Sequence, residues 1–262
     1  MGEWLDVGDL PRVNILGVGI SAINHEHAVR EIERWIASGE KQYVNVCNVH
    51  TVMECQKDAR LRRVVNNAGL STPDGMPLVW LSVWHGHRNA GRVYGPDLML
   101  ALCERSQTTG HRHFFYGGAP GVADRLARRL QARYPGLIVA GTYTPPFRPV
   151  DAEEDRAVLD AIDAAAPDIV WVGLGTPKQD YWVSRHRAVL SAPVLIAIGA
   201  AFDFHAGLLR QAPRWMQRRG LEWLFRLVQE PRRLAFRYLV YNPLFVLKVA
   251  IQVTGLRAYT LE

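Results

Sequence analysis

His113-Phe-Phe-Tyr-Gly-Gly-Ala-Pro-Gly-Val-Ala-Asp-Arg-Leu-Ala-Arg-Arg-Leu-Gln-Ala-Arg133 places a short apolar run, a glycine-rich turn and a helix-period segment in direct succession. Val122, Leu126 and Leu130 recur every four residues, with Arg125, Arg128 and Arg129 around them, which predicts an amphipathic helix with one buried face. A further apolar run, Leu137-Ile-Val-Ala140, follows. Strand, helix and strand in this order read as parallel strands joined by a crossover helix.

The pattern extends in both directions. Val13-Asn-Ile-Leu-Gly17, Tyr43-Val-Asn-Val-Cys47, Asp168-Ile-Val-Trp-Val172 and Val194-Leu-Ile-Ala-Ile198 read as further strands, and 25–38, 97–107, 120–133, 151–165 and 178–190 as helices. The expected fold is α/β: a Rossmann-like, mostly parallel sheet with helices on both faces, followed by a C-terminal helical, basic and aromatic appendage. The expected division is a core over 1–208 and an appendage over 209–262. Ligands of such sheets bind at the carboxyl ends of the strands. The unusual loops fall there: Asn48-Val-His-Thr51, Thr72-Pro-Asp-Gly-Met-Pro77, Gly117-Gly-Ala-Pro-Gly121, Gly173-Leu-Gly-Thr-Pro-Lys-Gln179 and Gly199-Ala-Ala-Phe-Asp203.

Charge is distributed unevenly. Residues 209–262 hold ten Lys and Arg against three Glu, whereas residues 1–208 hold 21 basic against 22 acidic residues, so the chain's net +6 belongs to its tail. Aromatic and aliphatic side chains lie between those arginines, a combination suited to a phosphate-bearing partner at a membrane surface. The apolar stretch 238–253 is interrupted by Asn242-Pro243 and by Lys248, leaving pieces too short for a bilayer core of about 30 Å. The start, Met1-Gly-Glu-Trp-Leu-Asp6, is acidic and without a long apolar run, which argues against a signal peptide, and Asp6 occupies the position where myristoylation needs a small hydroxyl residue. The expected location is cytoplasmic, peripheral on the inner face of the cell membrane. Cys47, Cys55 and Cys103 are odd in number, lack metal-ligand spacing and read as free buried thiols. Nucleic acid is disfavoured as a partner, because the basic face is rich in aliphatics.

Each motif has a plain reading beside its functional one. Gly17-Val-Gly-Ile-Ser-Ala22 matches a dinucleotide fingerprint, but no helix opens on the glycines and no acid ends the next strand, so a tight turn is preferred. The glycines of 117–121 and 173–179 permit an anion at a helix start, or simply a strand-to-helix turn. Lys178 opposes the helix dipole in a first turn, which asks for a local reason such as phosphate. Asp74, held between two prolines, reads as a general base or as the cap of a helix starting near Met76. Asp97 reads first as an N-cap, and Arg92 as a surface side chain or a phosphate fork. No D-x-D pair occurs, and the histidines, His50, His111 and His113 among them, show no ligand spacing and read as structural or exposed, so no metal and no cofactor are expected. In the tail, Leu221, Leu224, Phe225 and Val228 mark one helical face that suits lipid or a second copy of the chain equally. Pro231 starts a second helix, and Arg219, Arg226 and Arg233 recur every seven residues, with Arg237 four further on, which favours anion binding over a merely solvated face.

Taken together, Thr72-Pro-Asp-Gly-Met, Arg92-Val-Tyr-Gly-Pro-Asp-Leu, Phe115-Tyr-Gly-Gly, Gly173-Leu-Gly-Thr-Pro-Lys-Gln-Asp, Gly199-Ala-Ala-Phe-Asp-Phe-His-Ala-Gly, Arg210-Gln-Ala-Pro-Arg-Trp, Gly220-Leu-Glu-Trp-Leu-Phe-Arg-Leu and Glu230-Pro-Arg-Arg-Leu resemble the WecG/TagA/CpsF glycosyltransferases, glycosyltransferase family 26. The resemblance runs from about Asn14 to Tyr241. It implies an inverting, metal-independent hexosyltransferase of polysaccharide biosynthesis. The donor would be a UDP-sugar (N-acetylmannosamine, glucose or a related hexose) and the acceptor an undecaprenyl-diphosphate-linked sugar.

By the same resemblance Asp74 is the base. The resemblance also puts Asn48, Arg92 and Gln179 in the sugar and nucleotide pocket and Arg226, Arg233 and Arg237 over the diphosphate. The strand-end loops and the basic tail add Gly75, Asp97, Gly117, Gly118, Gly175, Lys178 and Asp203 as candidate substrate-binding residues and Arg210, Arg214 and Arg232 as candidate diphosphate- and lipid-binding residues. Where many members carry threonine this chain has Val46, which puts N-acetylmannosamine as donor in doubt and leaves Thr51 as a substitute hydroxyl. Two other readings stand beside this one: an NAD-dependent oxidoreductase using the 17–22 glycines, and a non-enzymatic membrane-docking adaptor.

Overall fold

The computed structural model describes residues 10–148 and 151–261, so the reading of Met1–Asp6 lies outside the described residues. In chain order the elements begin with β1 (Arg12–Ile15), β2 (Val18–Ser21), α1 (His25–Ser38), β3 (Gln42–Cys47), α2 (Val49–Cys55), α3 (Ala59–Asn66), β4 (Leu70–Pro73), α4 (Met76–Trp84), α5 (Gly95–Thr109) and β5 (Arg112–Gly117). They continue with α6 (Val122–Arg133), β6 (Ile138–Tyr143), α7 (Ala152–Ala164), β7 (Ile169–Gly173), α8 (Lys178–His186), β8 (Val194–Ala197), α9 (Ala201–His205), α10 (Arg214–Arg218), α11 (Glu222–Gln229) and α12 (Pro231–Val253). The chain forms two compact units. One gathers the residues up to His27, Cys47–Tyr94 and everything from Ala212; the other holds Ala28–Val46 and Gly95–Gln211.

The second unit contains the parallel sheet, with strands in the order β3-β8-β7-β5-β6 and helices packed along it. Its central strands are buried on both faces, which is why they read as continuous apolar runs: Ile169, Val170, Trp171 and Val172 of β7 are all fully buried. The α/β, Rossmann-like architecture expected from the sequence is therefore the one observed. His113 is structural. It accepts from Trp171 Nε1 on Nδ1 (2.9 Å) and lies 2.8 Å from Ser106 Oγ on Nε2, and burial pushes its pKa down to about 3. At the strand ends the glycines answer to packing. A Cβ on Gly117 would come within 2.7 Å of the Gly173 carbonyl carbon, one on Gly173 within 2.7 Å of the Phe202 ring, and one on Gly118 within 2.9 Å of Val122.

At its start the first unit bears out the tight turn preferred for the 17–22 glycines. The stretch proposed as a fingerprint is an antiparallel hairpin, β1 with β2, closed by Leu16-Gly17. Both turn residues have positive φ, 54° and 82°, as a two-residue hairpin turn of matching twist requires. No helix opens on these glycines, and the dinucleotide reading loses its structural basis. β4 was not legible as a strand because Leu70-Ser-Thr-Pro73 is half polar. Ser71 is nonetheless fully buried, with its Oγ donating to Val65 O (2.6 Å) and its N–H donating to Ser21 Oγ (3.1 Å).

The tail also needs correction. As expected, a second helix starts at Pro231, but it does not break at Asn242-Pro243; α12 runs for 23 residues, about 35 Å, through Pro243. Buried Tyr241 and Phe245 anchor it on either side of the proline. Burial of two such side chains, roughly 1.5–3 kcal/mol each, offsets the cost of about 3 kcal/mol for an internal proline. By length and composition alone this helix could cross a bilayer. Its far end is tied to the hairpin: the Gln252 side chain accepts from Leu16 N and donates to Asn14 O, each at 2.9 Å.

Candidate active site

Two chain segments of the first unit enclose a cavity of about 770 Å³, and every residue lining it comes from 48–92 or 217–249. Its polar lining includes Asn48, His50, Asp74, Arg92, Arg219, Glu222, Arg226 and Arg237. Its apolar lining includes Trp80 and Trp84 of α4 and Phe245, Val246 and Val249 of α12.

Asn48 is the N-cap of α2. Its Oδ1 accepts from His50 N (3.0 Å) and Thr51 N (3.3 Å), and Thr51 Oγ1 accepts from Asn48 N (3.4 Å), a reciprocal capping box. Thr51 is buried and supports Asn48; it does not line the cavity. Next comes Asp74, whose N–H donates to Cys47 O at 2.8 Å and so pins the loop after β4 to the end of β3. The cap of α4 is Gly75, with no side-chain bond, so Asp74 is not there to cap the helix. Gly75 lies beside Asn48, where a Cβ would make an ordinary van der Waals contact with Asn48 Cβ at 3.5 Å.

Arg92 organises the polar lining. Its Nε donates to the Asp74 main-chain oxygen, and its Nη2 lies 2.5 Å from Glu222 Oε2 and 3.5 Å from Asp74 Oδ1. Burial works against its charge, but Asp74 and Glu222 hold the guanidinium above its ordinary value. The Tyr94 ring lies 4.0 Å from the guanidinium carbon, and Tyr94 Oη donates to Glu222 Oε1 at 3.1 Å. Burial, then the charges of Glu222 and Asp74, raise the Tyr94 phenol, so it serves as a donor.

Arg226 and Arg237 face the same cavity from α11 and α12. Arg237 Nε is buried without a hydrogen-bond partner, and burial, with repulsion from Arg226 and Arg233, brings its pKa down to about 10. A buried guanidinium held against like charges is a site built for an anion. Beside it His50 stacks on Tyr241 with ring centroids 5.7 Å apart. Burial and the charges of Arg237, Lys57 and Arg226 lower His50 to about 3, so it is neutral. Tyr241 Oη in turn donates to Glu54 Oε1 at 2.6 Å, joining α12 to α2.

The cavity thus gathers Asn48, Asp74, Gly75, Arg92, Arg219, Leu221, Arg226 and Arg237 from the residues singled out in the sequence. Arg214 is exposed on α10; Arg232 and Arg233 are exposed in the first turn of α12, where Arg233 pairs with Glu230 at 2.5 Å. The remaining ones lie in the other unit. Gly117 and Gly118 follow β5, and Gly175, Lys178 and Gln179 follow β7. Asp203 sits in α9, and Arg210 is exposed beyond it. Gln179 is buried and its Oε1 accepts from Gly175 N at 2.9 Å, bracing that loop, while Lys178 is exposed. Asp97 is no N-cap: it is exposed within the first turn of α5.

Sequence reasoning missed His50, Tyr94, Glu222, Trp80 and Trp84. Two signals were available. Trp80 and Trp84 are four apart and so share a helix face, and Glu222 is one of only three acids in the basic tail. Among the described residues no group of three or more His, Cys, Asp or Glu could hold a metal ion. The lining offers a carboxylate with fixed cations and, beside them in the same cavity, a hydrocarbon surface. That suits an amphiphilic ligand with an anionic head.

Comparison with known proteins points the same way. The model of the "Glycosyl transferase WecG/TagA/CpsF family" matches residues 13–259. The chain is 30% identical over 207 residues to the N-acetylglucosaminyldiphosphoundecaprenol N-acetyl-beta-D-mannosaminyltransferase of Bacillus spizizenii (strain W23), covering 79% of this chain and 78% of that protein. It is 28% identical over 190 residues to the protein of the same name from Bacillus subtilis (strain 168), covering 72% of each.

Proposed function

The chain belongs to the WecG/TagA/CpsF family of glycosyltransferases, and from that premise we propose that it is an inverting, metal-independent enzyme that moves a hexose or N-acetylhexosamine from a UDP-sugar to an undecaprenyl-diphosphate-linked sugar. The observation that carries this reading is the cavity whose lining combines Asp74 and four arginines with aromatic and aliphatic side chains of α4 and α12. The names of the two Bacillus relatives support N-acetylglucosaminyl diphosphoundecaprenol as the acceptor. The donor belongs to the class of N-acetylmannosamine, glucose and related hexoses.

In the proposed reaction Asp74 takes the proton of the acceptor hydroxyl as that oxygen attacks the anomeric carbon from the side opposite the diphosphate. UDP leaves with growing negative charge, which fixed cations can stabilise where no metal does so. Arg226 and Arg237 are our candidates for the acceptor diphosphate, and Gly175, Lys178 and Gln179 for the donor. The direct test is a screen of UDP-sugars against undecaprenyl-diphosphate sugars, with the anomeric configuration of the product read in the same assay. Turnover without inversion, or none with any UDP-sugar, overturns the reading.

We further propose that the enzyme lies on the cytoplasmic face of the membrane through the exposed side of α12. Phe236, Leu239 and Leu247 are each more than half exposed on it. At roughly 1–2 kcal/mol for each apolar side chain withdrawn from water, changing all three to Ser lowers partition into anionic vesicles at least about tenfold. Unchanged co-sedimentation of the triple variant would exclude α12 as the docking element.

A further inference from the structure

The cavity lining carries hydrocarbon that a diphosphate cannot use. On α4 the residues that reach it are Met76, Pro77, Trp80, Leu81 and Trp84, spaced as one helical face. Trp80 and Trp84 are nevertheless 52% and 62% exposed. Trp80 lies against the turn before α11, where a Cβ on Gly220 would come within 2.9 Å of its ring. On α12 the lining changes character along the helix, from Arg237 and Tyr238 through Asn242 to Phe245, Val246 and Val249. Arg237 and Val249 stand about 18 Å apart along the axis. Arg219 and Arg226 add charge to the same lining, and Arg237 Nε is buried without a hydrogen-bond partner. Val246 is 66% exposed and seven residues from exposed Leu239, hence on the same side of the helix. The apolar lining therefore runs out onto the exposed face of α12.

We propose that the part of the cavity lined by α4 and α12 holds the prenyl units of the acceptor that adjoin its diphosphate, so that the enzyme recognises the chain itself instead of leaving all of it in the bilayer. The inference rests on the acceptor class proposed above. A prenyl diphosphate is anionic at one end and pure hydrocarbon beyond it, which is the order of groups along α12. A sugar can stack on a tryptophan, but it needs polar partners that Phe245, Val246 and Val249 do not offer. Two tryptophans four residues apart present large, rigid apolar faces at little cost in side-chain entropy. Covering them with a prenyl chain removes apolar surface from water and strands no polar group. Past Val246 the rest of the chain can continue over the exposed face of α12 into the membrane. Insertion of Trp80 and Trp84 into the bilayer is the competing use of the same surface.

The test is calorimetry of the full chain with farnesyl diphosphate and with inorganic diphosphate, without vesicles or detergent and below the concentration at which the prenyl compound forms micelles. Inorganic diphosphate carries at least as much charge, so a preference for farnesyl diphosphate reports the hydrocarbon. The parent binds farnesyl diphosphate at least about thirtyfold more tightly. Trp84→Ala and Val246→Ser, one from each helix and both at largely exposed positions, each reduce that ratio about three- to tenfold, with the affinity for inorganic diphosphate within about twofold of the parent. Either variant suffices should the other not fold. Leu256→Ser, at a position that is exposed but outside the cavity lining, keeps the ratio. No preference in the parent, or one that survives in the cavity variants, overturns the proposal. A surviving preference with weakened partition into phosphatidylglycerol vesicles would give the tryptophan surface to the bilayer instead. Turnover of the undecaprenyl-diphosphate-linked acceptor without a prenyl preference removes only this inference, whereas absence of turnover with every UDP-sugar removes the reading on which it rests.

Discussion

The two units handle unusual residues in opposite ways. In the sheet unit the conspicuous glycines have mechanical reasons: Gly117, Gly118 and Gly173 each face a backbone or side-chain atom that a Cβ would strike. In the hairpin-and-tail unit the conspicuous residues are charged, and packing gives no reason for them. Arg92, Arg237, Asp74 and Glu222 are largely buried, and holding charge out of water costs stability unless something else is gained. Glycine loops that resemble phosphate cradles are thus accounted for without a ligand, and the buried charges are not. Substitutions in the first set should register mainly as lost stability, those in the second mainly as lost turnover.

The largest expected effect lies in the charged set. Asp74→Asn should lower kcat by about 10²- to 10⁴-fold, the usual weight of a general base. Its melting temperature and UDP affinity, measured by calorimetry, should stay near the parent values. A melting temperature that falls along with the rate would place Asp74 among the structural residues and erase the contrast. Next comes Gly117→Ala, the mechanical counterpart. With φ at 125° and the Gly173 carbonyl carbon 2.7 Å from the new Cβ, the substitution should cost about 2–4 kcal/mol in urea unfolding, the scale of overpacking combined with backbone strain. Whatever protein remains folded should keep most of its kcat.

Arg237 sharpens the comparison because both readouts should move, in opposite directions. Its guanidinium is buried and repelled by Arg226 and Arg233. Arg237→Met should therefore be neutral or stabilising by about 1 kcal/mol in the ligand-free protein. It should also raise the acceptor KM about ten- to a hundredfold, since a charge-assisted contact to the diphosphate would be lost. Arg237→Lys should recover only part of the affinity, because an ammonium cannot form the planar fork. Destabilisation with unchanged KM would show that the cation serves the fold.

The same division explains what could be read from the sequence. Strands such as Ile169–Gly173 and helices such as Val122–Arg133 carry their burial in their periodicity, and their observed bounds lie within a few residues of those expected. The tight turn of the hairpin was legible because no helical period follows directly on its glycines, although a turn with two positive φ values and a phosphate-binding turn both call for glycine. β4 escaped notice because its buried Ser71 satisfies its own polarity. The polar lining of the cavity was legible in part. Asp74 and the arginines stand out by type and spacing, but His50 and Glu222 act through neighbours far away in sequence. Glu222 meets Arg92 across 130 positions, and no local pattern reports that.

The smallest expected effect compares one histidine from each unit. His50 and His113 are both held near pKa 3 by burial, far below the ordinary 6.5. A depressed histidine binds fewer protons folded than unfolded, so its contribution to stability is present above pH 6.5 and lost as the pH falls toward 3, at no more than about 1.4 kcal/mol per pH unit for each group. Urea unfolding between pH 7 and pH 5 should show this slope, and His50→Gln and His113→Gln should each reduce it. The two should part company when a diphosphate is present. Beside Arg237 and Arg226, a bound diphosphate cancels the positive potential that helps to hold His50 neutral, so its pKa rises and binding takes up a fraction of a proton near pH 5. His113 is locked between Trp171 and Ser106 in the other unit and has no such coupling. Calorimetry of inorganic diphosphate binding in two buffers of different ionisation enthalpy measures that uptake directly. It should vanish in His50→Gln and persist in His113→Gln; equal loss in both would mean that the anion site is not where His50 is.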